Sequence, residues 1–293
     1  MACRASRIDV GRLVSFRNVS VASVVALMIG WQVMTTYGAE DEHQGTSAQE
    51  EGHSPAELFE PREYADAEGN VLRYRLLKPK DFDPDRKYPL VLFLHGAGER
   101  GDDNVAQLKH GMAEFCEPGR RQAYPCYVLA PQCPTGDKWA NLDWRSTEVT
   151  QPTEPTLPMK LTLELLDQMI DSAAVDKTRI YITGLSMGGF GTWDAIARRP
   201  SFFAAAVPIC GGGDLRTAPR IKDLPIWCFH GAQDPVVPVE LSRKMIQALR
   251  DAGGSPRYTE YPEAAHDSWT QTYADPELYR WLFAHRRASS PGQ

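Results

Sequence analysis

Tyr181-Ile182-Thr183-Gly184-Leu185-Ser186-Met187-Gly188-Gly189-Phe190 runs from an apolar, partly β-branched segment straight into a serine framed by glycines. Gly184 and Gly188 flank Ser186 in G-x-S-x-G spacing, that of a nucleophile elbow, where a serine sits on a sharp turn between a strand and a helix. Such a turn crowds the backbone, and residues without side chains relieve the crowding. It also lifts the hydroxyl toward solvent. Met187 then falls at a helix start, where an unpaired N–H can hold a developing negative charge. Gly-rich strand-to-helix turns also serve as plain tight connections, so the reading rests on what surrounds this one.

On the N-terminal side, Arg179-Ile180-Tyr181-Ile182-Thr183 is rich in strand formers. On the C-terminal side, Met187 to Arg199 places Phe190, Trp193, Ile196 and Ala197 at helical spacing. Arg198 and Arg199 suit the negative end of a helix dipole, and Pro200 stops the helix.

The same grammar repeats along the chain. Pro89–Leu94 is apolar throughout, as a parallel strand covered on both faces must be, and Tyr127–Ala130, Ala204–Ile209 and Ile226–Phe229 share that character. Val71–Leu77 alternates apolar and basic residues in part, which predicts a half-exposed strand at the sheet edge. Leu161, Leu165, Met169 and Ala173 recur every fourth residue, with Glu164, Asp167 and Asp171 turned away, a pattern that predicts an amphipathic crossover helix. Val239–Ala252 and Glu277–Arg286 predict two more helices. Strands alternating with helices imply an α/β fold: a doubly wound, mostly parallel sheet with helices on both faces and ligands bound at the C-terminal strand ends.

At those strand ends lie the partners a serine needs. After the strand ending at Phe229, His230-Gly231-Ala232-Gln233-Asp234 places a carboxylate in a loop, and Asp234 becomes the acid that orients and stabilises a histidine. Asp214, after Gly211-Gly212-Gly213, competes for that role, and a plain turn cap before Pro235 is the structural alternative for Asp234. His266 lies beyond the last probable strand, third in the order serine, acid, histidine, and is the candidate general base. His95 and His230 each precede a glycine at a strand end and are read as structural or pocket-lining, with a base role as the alternative. The loop His95-Gly96-Ala97-Gly98-Glu99-Arg100-Gly101 offers the Ala97 N–H as a second oxyanion donor beside that of Met187.

Together HGAGERG, GLSMGG, HGAQDPVVP and AAHDSW resemble the α/β-hydrolases of the predicted-peptidase and carboxylesterase group, close to dienelactone-hydrolase-like and polyhydroxybutyrate-depolymerase-like esterases. The resemblance covers about residues 60–287 and implies an α/β-hydrolase fold with Ser186, Asp234 and His266 as a catalytic triad. It implies cleavage of carboxylic esters without metal or cofactor, on small-molecule or polysaccharide substrates carrying acyl or feruloyl groups, with a peptidase using the same triad as the alternative. A non-catalytic carbohydrate-binding relative is the reading from another class. Dienelactone hydrolases carry cysteine at the elbow, whereas this chain has Ser186.

Composition narrows the rest. The 293 residues carry a net charge of −6, and no cluster of Lys and Arg lies among aromatics, which excludes the footprint of a nucleic-acid binder. Arg4, Arg7, Arg12 and Arg17 precede an uncharged stretch from Asn18 to Ala39, so residues 1–39 read as an export signal or an N-terminal membrane anchor, with the catalytic part outside the cytoplasm in either case. Residues 40–57, poor in large apolar groups, read as a disordered linker, and residues 58–288 as the catalytic domain. Cys126 and Cys133 are close enough in sequence to pair, while Cys210 and Cys228 sit inside apolar runs and read as buried thiols. In the long irregular stretch from Pro131 to Pro158, Trp139 and Trp144 are candidates for stacking on a substrate, with packing of the loop onto the body as the alternative. No segment reads as an apolar helical lid, which points to soluble substrates.

Overall fold

The computed structural model describes residues 54–144, 146 and 148–288, all within one compact unit, Gln49–Gln293. The expected signal or anchor, and all but the last residues of the expected linker, lie outside the described residues. Residues 55–57, assigned above to the linker, instead belong to the short helix α1 (Pro55–Leu58), where the Ser54 N–H donates to Glu57 Oε2 at 2.8 Å.

Among the described residues eight strands form one sheet: β1 (Glu60–Ala65), β2 (Val71–Leu77), β3 (Tyr88–Leu94), β4 (Tyr127–Pro131), β5 (Val175–Leu185), β6 (Ala205–Ile209), β7 (Trp227–Gly231) and β8 (Arg257–Tyr261). Their spatial order is β1-β2-β4-β3-β5-β6-β7-β8, parallel from β4 to β8, with β1 and β2 antiparallel to their neighbours. The remaining helices are α2 (Met112–Cys116), α3 (Pro118–Ala123), α4 (Leu157–Ser172), α5 (Met187–Arg198), α6 (Ala218–Ile221), α7 (Glu240–Asp251), α8 (Trp269–Ala274) and α9 (Pro276–Ala284).

One expectation needs correction. β2 is not the edge strand: β1 pairs along its whole length, from Glu60 opposite Leu76 to Ala65 opposite Val71. β1, with the sequence EPREYA, is mostly exposed and lacks the apolar run that marks the inner strands. Its cover lets β2 bury Leu72, Tyr74, Leu76 and Leu77.

The period-two alternation of strand side chains separates two cores. Leu90, Leu92 and Leu94 of β3 join Ile180 and Ile182 of β5 beneath α4, α5 and α7, whereas Val91 and Phe93 join Tyr181, Val207 and Phe229 beneath α2, α8 and α9. Helices thus cover both faces, as a sheet with fully apolar inner strands requires. Each leucine so buried contributes roughly 1.5–3 kcal/mol over an exposed one, enough to fix the strands whose ends carry the site. Among the described residues no helix is long and apolar enough to cross a membrane.

Candidate active site

The site starts at the end of β5. Ser186 has φ 53° and ψ −116°, a backbone conformation that a residue with a side chain adopts only when its surroundings hold it there. Two hydrogen bonds do so: the Ser186 N–H donates to Ile209 O at 3.0 Å, and the Phe190 N–H donates to Ser186 O at 3.1 Å. The flanking glycines are sterically required. A methyl group on Gly188 would run into the Leu94 carbonyl and stand 2.9 Å from His95 O, and one on Gly184 would lie 2.8 Å from Leu94 O. The elbow therefore sits directly on the end of β3, beside the loop that begins at His95.

His266 comes from the loop after β8. Its Nε2 lies 2.9 Å from Ser186 Oγ, and its Nδ1 lies 2.7 Å from Asp234 Oδ2. Gly231 makes this approach possible, because a side chain there would collide with the Ala264 and Ala265 carbonyls of the histidine loop. The two loops are also stitched together by Gln233 N–H to Ala264 O at 3.0 Å and Ala232 N–H to Tyr261 O at 2.9 Å. The structure thus brings Ser186, His266 and Asp234 into one hydrogen-bonded chain, with the Asp234 side chain fully buried and that of His266 20% exposed.

Four donors hold the Asp234 carboxylate. Oδ1 accepts from the Val236 and Val237 N–H groups at 2.8 and 2.9 Å; Oδ2 faces His266 and also His230 Nε2 at 3.2 Å. Burial alone would push this carboxyl up, but the hydrogen bonds from His230, His266 and the two backbone N–H groups outweigh it and hold Asp234 well below the usual carboxylate range. His230, read from the sequence as structural or pocket-lining, takes part in the site because the fold sets it beside the carboxylate. It is fully buried, its Nε2 also contacts the Val237 carbonyl at 3.1 Å, and its Nδ1 meets Ser242 Oγ at 2.7 Å. A carbonyl only accepts, so Nε2 carries the hydrogen, and His230 serves as a fixed donor that positions Asp234.

The other candidates fall elsewhere. His95 is 1% exposed; its Nε2 accepts the Cys133 N–H at 2.9 Å and its Nδ1 donates to Gly96 O at 2.6 Å, so both ring nitrogens are committed to structure. Burial pushes its pKa down to about 4. A histidine depressed in the folded state stabilises the fold fully above its unfolded value of about 6.5, and this contribution is lost as pH falls from there toward about 4. The loss amounts to about 3 kcal/mol. Urea midpoints measured between these limits are expected to fall with pH in the wild-type protein and to fall less steeply in His95→Gln; an unchanged slope in the variant would contradict this role.

Trp139 does not reach a substrate. Its ring is fully buried against Gly191 and the His95 ring, and its indole N–H donates to His95 O at 3.0 Å, so it is a packing residue that steadies the β3 loop. Trp144 is half-buried and packs against the small cluster of Ala140, Leu142, Phe190, Val237 and Leu241, with Lys138 Nζ 5.6 Å from its ring centre. Ala97 opens a short 3-10 turn, Ala97–Glu99, and Met187 is the first residue of α5, so neither N–H has an acceptor within its own helix. Arg100 clamps the Ala97 peptide by donating to its carbonyl at 2.9 Å. Asp214, the competing acid, caps the turn Leu215–Thr217 and pairs with Arg216 at 2.6 Å; the Arg216 hydrogen bond, with Gln151 adding to it, draws its pKa down to about 2.

The cysteines Cys116, Cys126, Cys133, Cys210 and Cys228 are all free and buried. Cys126 and Cys133 do not pair because they project into different cores, one on each face of the sheet. Cys210, in left-handed conformation at φ 40°, presents its sulfur to Asp234 and His266, the ligating atoms of all three lying within 4.8 Å of one another. Burial pushes its thiol far up, leaving it uncharged and poorly suited to a metal, and His266 and Asp234 are already bonded to each other.

Residues 83–277 match the sequence profile of the phospholipase/carboxylesterase family, which spans the elbow, the acid loop and the histidine loop. The chain belongs to this family of α/β-hydrolases. Among solved structures, a thermostable esterase is 46% identical with a TM-score of 0.74, over 79% of this chain and 64% of that one. An acylaminoacyl peptidase of Pyrococcus horikoshii, 16% identical with a TM-score of 0.57 over 80% of this chain and 43% of that one, shares the fold. Among curated relatives, a probable feruloyl esterase C of Aspergillus niger is 24% identical over 69% of this chain and 70% of its own length. A bifunctional acetylxylan esterase/xylanase of Neocallimastix patriciarum is 25% identical over 66% of this chain. The alignments with that protein, with a secreted protein of Arthroderma benhamiae and with a poly(3-hydroxyalkanoate) depolymerase of Paucimonas lemoignei span only about a quarter of those relatives' lengths. Membership places the chain among esterases and related hydrolases.

Proposed function

We propose that the protein hydrolyses carboxylic esters through a covalent acyl-enzyme on Ser186. The observation that carries this is the unbroken chain Ser186 Oγ, His266, Asp234, with contacts of 2.9 and 2.7 Å, on a serine held at φ 53° at the head of a helix. In this reading Ser186 Oγ attacks the ester carbonyl carbon while His266 Nε2 takes its proton. Asp234 stabilises the imidazolium, and the Ala97 and Met187 N–H groups receive the oxyanion. The C–O bond to the alcohol breaks, and the alcohol leaves with the proton from His266. Water then attacks the acyl-enzyme by the reverse route and frees the acid.

Acyl or feruloyl groups on polysaccharide, or other soluble esters, fit the names borne by the feruloyl and acetylxylan esterase relatives. Export fits the arginine-led, uncharged N-terminal stretch and the likeness to a protein named as secreted. Amide and ester cleavage use the same groups, so an assay of matched p-nitrophenyl ester and p-nitroanilide substrates decides between esterase and peptidase. Ester turnover is expected to exceed amide turnover by orders of magnitude, and the reverse ranking would overturn the esterase reading.

A further inference from the structure

Gln132, the residue after β4, has no part in the triad, yet its side chain is buried and both polar atoms of its amide are bonded. Oε1 accepts the Asn104 N–H at 2.7 Å, and Nε2 donates to Asp103 Oδ1 at 2.8 Å and to the Glu99 carbonyl at 3.2 Å. The orientation of the amide is forced, because a backbone N–H only donates while a carbonyl and a carboxylate only accept.

These bonds reach both ends of residues 99–104, which continue the loop that begins at His95. The outer side of that loop is exposed at Gly98, Asp102 and Asp103, and the residues after β4 hold its inner side. The Gly101 N–H donates to Cys133 O at 3.0 Å, and a methyl group on Gly101 would stand 3.1 Å from Gln132 Nε2. Asn104 ends the segment at φ 53°, a left-handed conformation that its N–H bond to Gln132 helps to fix.

From Glu99 the constraint passes to the oxyanion donor. The Glu99 N–H donates to Gly96 O at 3.3 Å, and His95 Nδ1 donates to the same oxygen at 2.6 Å. Gly96 O and the Ala97 N–H belong to one planar trans peptide and point in opposite directions, so fixing the oxygen aims the N–H. Glu99 is therefore held at its carbonyl by Gln132 while its own N–H holds the peptide that carries the donor.

We infer that Gln132 is a positioning residue for the oxyanion hole, acting through Glu99 on the Gly96–Ala97 peptide. This rests on the esterase reading above, in which the Ala97 N–H is one of two donors to the oxyanion. The oxyanion exists only after Ser186 has attacked, so a misaimed donor weakens the transition state and spares the binding of substrate.

The test compares the wild-type protein with Gln132→Met, which keeps the volume and loses the amide bonds, and with Gln132→Glu. Glutamate still accepts from Asn104 but turns an oxygen toward the Glu99 carbonyl and the Asp103 carboxylate. Each protein is assayed on p-nitrophenyl acetate and titrated with two aryl ketones of the same shape. The trifluoromethyl ketone adds to Ser186 and sets a negative oxygen in the hole, whereas the methyl ketone binds without adding. Both variants are expected to lower kcat/KM by about tenfold to a hundredfold, less than the roughly 10²–10³-fold lost when a whole donor is removed. The trifluoromethyl ketone should weaken by the same factor, and the methyl ketone by no more than about twofold. A folded Gln132→Met protein with wild-type kcat/KM overturns the inference. So does an equal weakening of the two ketones, or a loss of kcat/KM that leaves the trifluoromethyl ketone bound as tightly as before. Should neither variant fold, hydrogen exchange of the wild-type protein decides. The Glu99 and Asn104 amides are expected to be protected and to slow further when the trifluoromethyl ketone is bound, and rapid exchange at both overturns the inference. A wild-type protein that cleaves no ester, or a Ser186→Ala protein as active as the wild type, defeats the esterase reading itself, a result distinct from the failure of the Gln132 role.

Discussion

Ser186→Ala is expected to lower kcat/KM on p-nitrophenyl acetate by about four to six orders of magnitude, the loss seen when a nucleophile that works as a unit with its base is removed. The size of the effect follows from the geometry. Ser186 Oγ is the atom 2.9 Å from His266 Nε2, and without it neither covalent bond formation nor proton transfer to the histidine has a starting point. The variant should fold normally. Alanine fills the same space, the strained φ of 53° is imposed by the bonds to Ile209 and Phe190, and none of these contacts uses the hydroxyl. Circular dichroism and the urea midpoint of the variant should therefore match those of the wild-type protein, so that lost activity reports lost chemistry. Residual activity above water is expected from the oxyanion donors alone.

Asp234→Asn is expected to lower kcat by about three to four orders of magnitude with a smaller change in KM. Oδ2 accepts from two histidines at once, His266 at 2.7 Å and His230 at 3.2 Å. An amide cannot accept at both oxygens. If its NH2 takes the Oδ2 position, it faces two N–H donors and at least one imidazole must change tautomer; if its oxygen does, the NH2 opposes the Val236 and Val237 N–H groups. With the oxygen kept at the Oδ1 position, where two backbone N–H groups hold it, His266 loses the partner that fixes Nε2 as the acceptor for the serine proton. The carboxylate is held well below the usual range, so this loss does not depend on pH across neutral conditions. A steady-state comparison of the two proteins at several pH values checks the prediction, and a deficit that vanished at high pH would contradict it.

Much of the architecture was legible because buried parallel strands must be apolar on both faces. Pro89–Leu94 and Ile226–Phe229 announce themselves for that reason, and β1 and β8 do not, since the mostly exposed EPREYA strand and the half-buried RYTEY strand at the two edges lack an apolar run. The elbow was legible because its glycines answer a steric demand that no other residue meets. Asp234 and His266 were legible through chain order, although 48 and 80 residues respectively separate them from Ser186. What escaped the sequence depended on three-dimensional neighbours. Trp139 in a long loop reads equally as a stacking platform or as packing, and only the Gly191 surface and the His95 carbonyl decide. His230 reads as structural or pocket-lining, and only the fold shows that it bonds the Asp234 carboxylate.

The most direct measurement is the mass of the protein after brief exposure to a fluorophosphonate, with the modified peptide located by fragmentation. The account predicts one adduct, on Ser186, formed by the folded wild-type protein, slowed strongly by Asp234→Asn and absent from Ser186→Ala. An adduct elsewhere, or equal labelling of the Ser186→Ala protein, would contradict it.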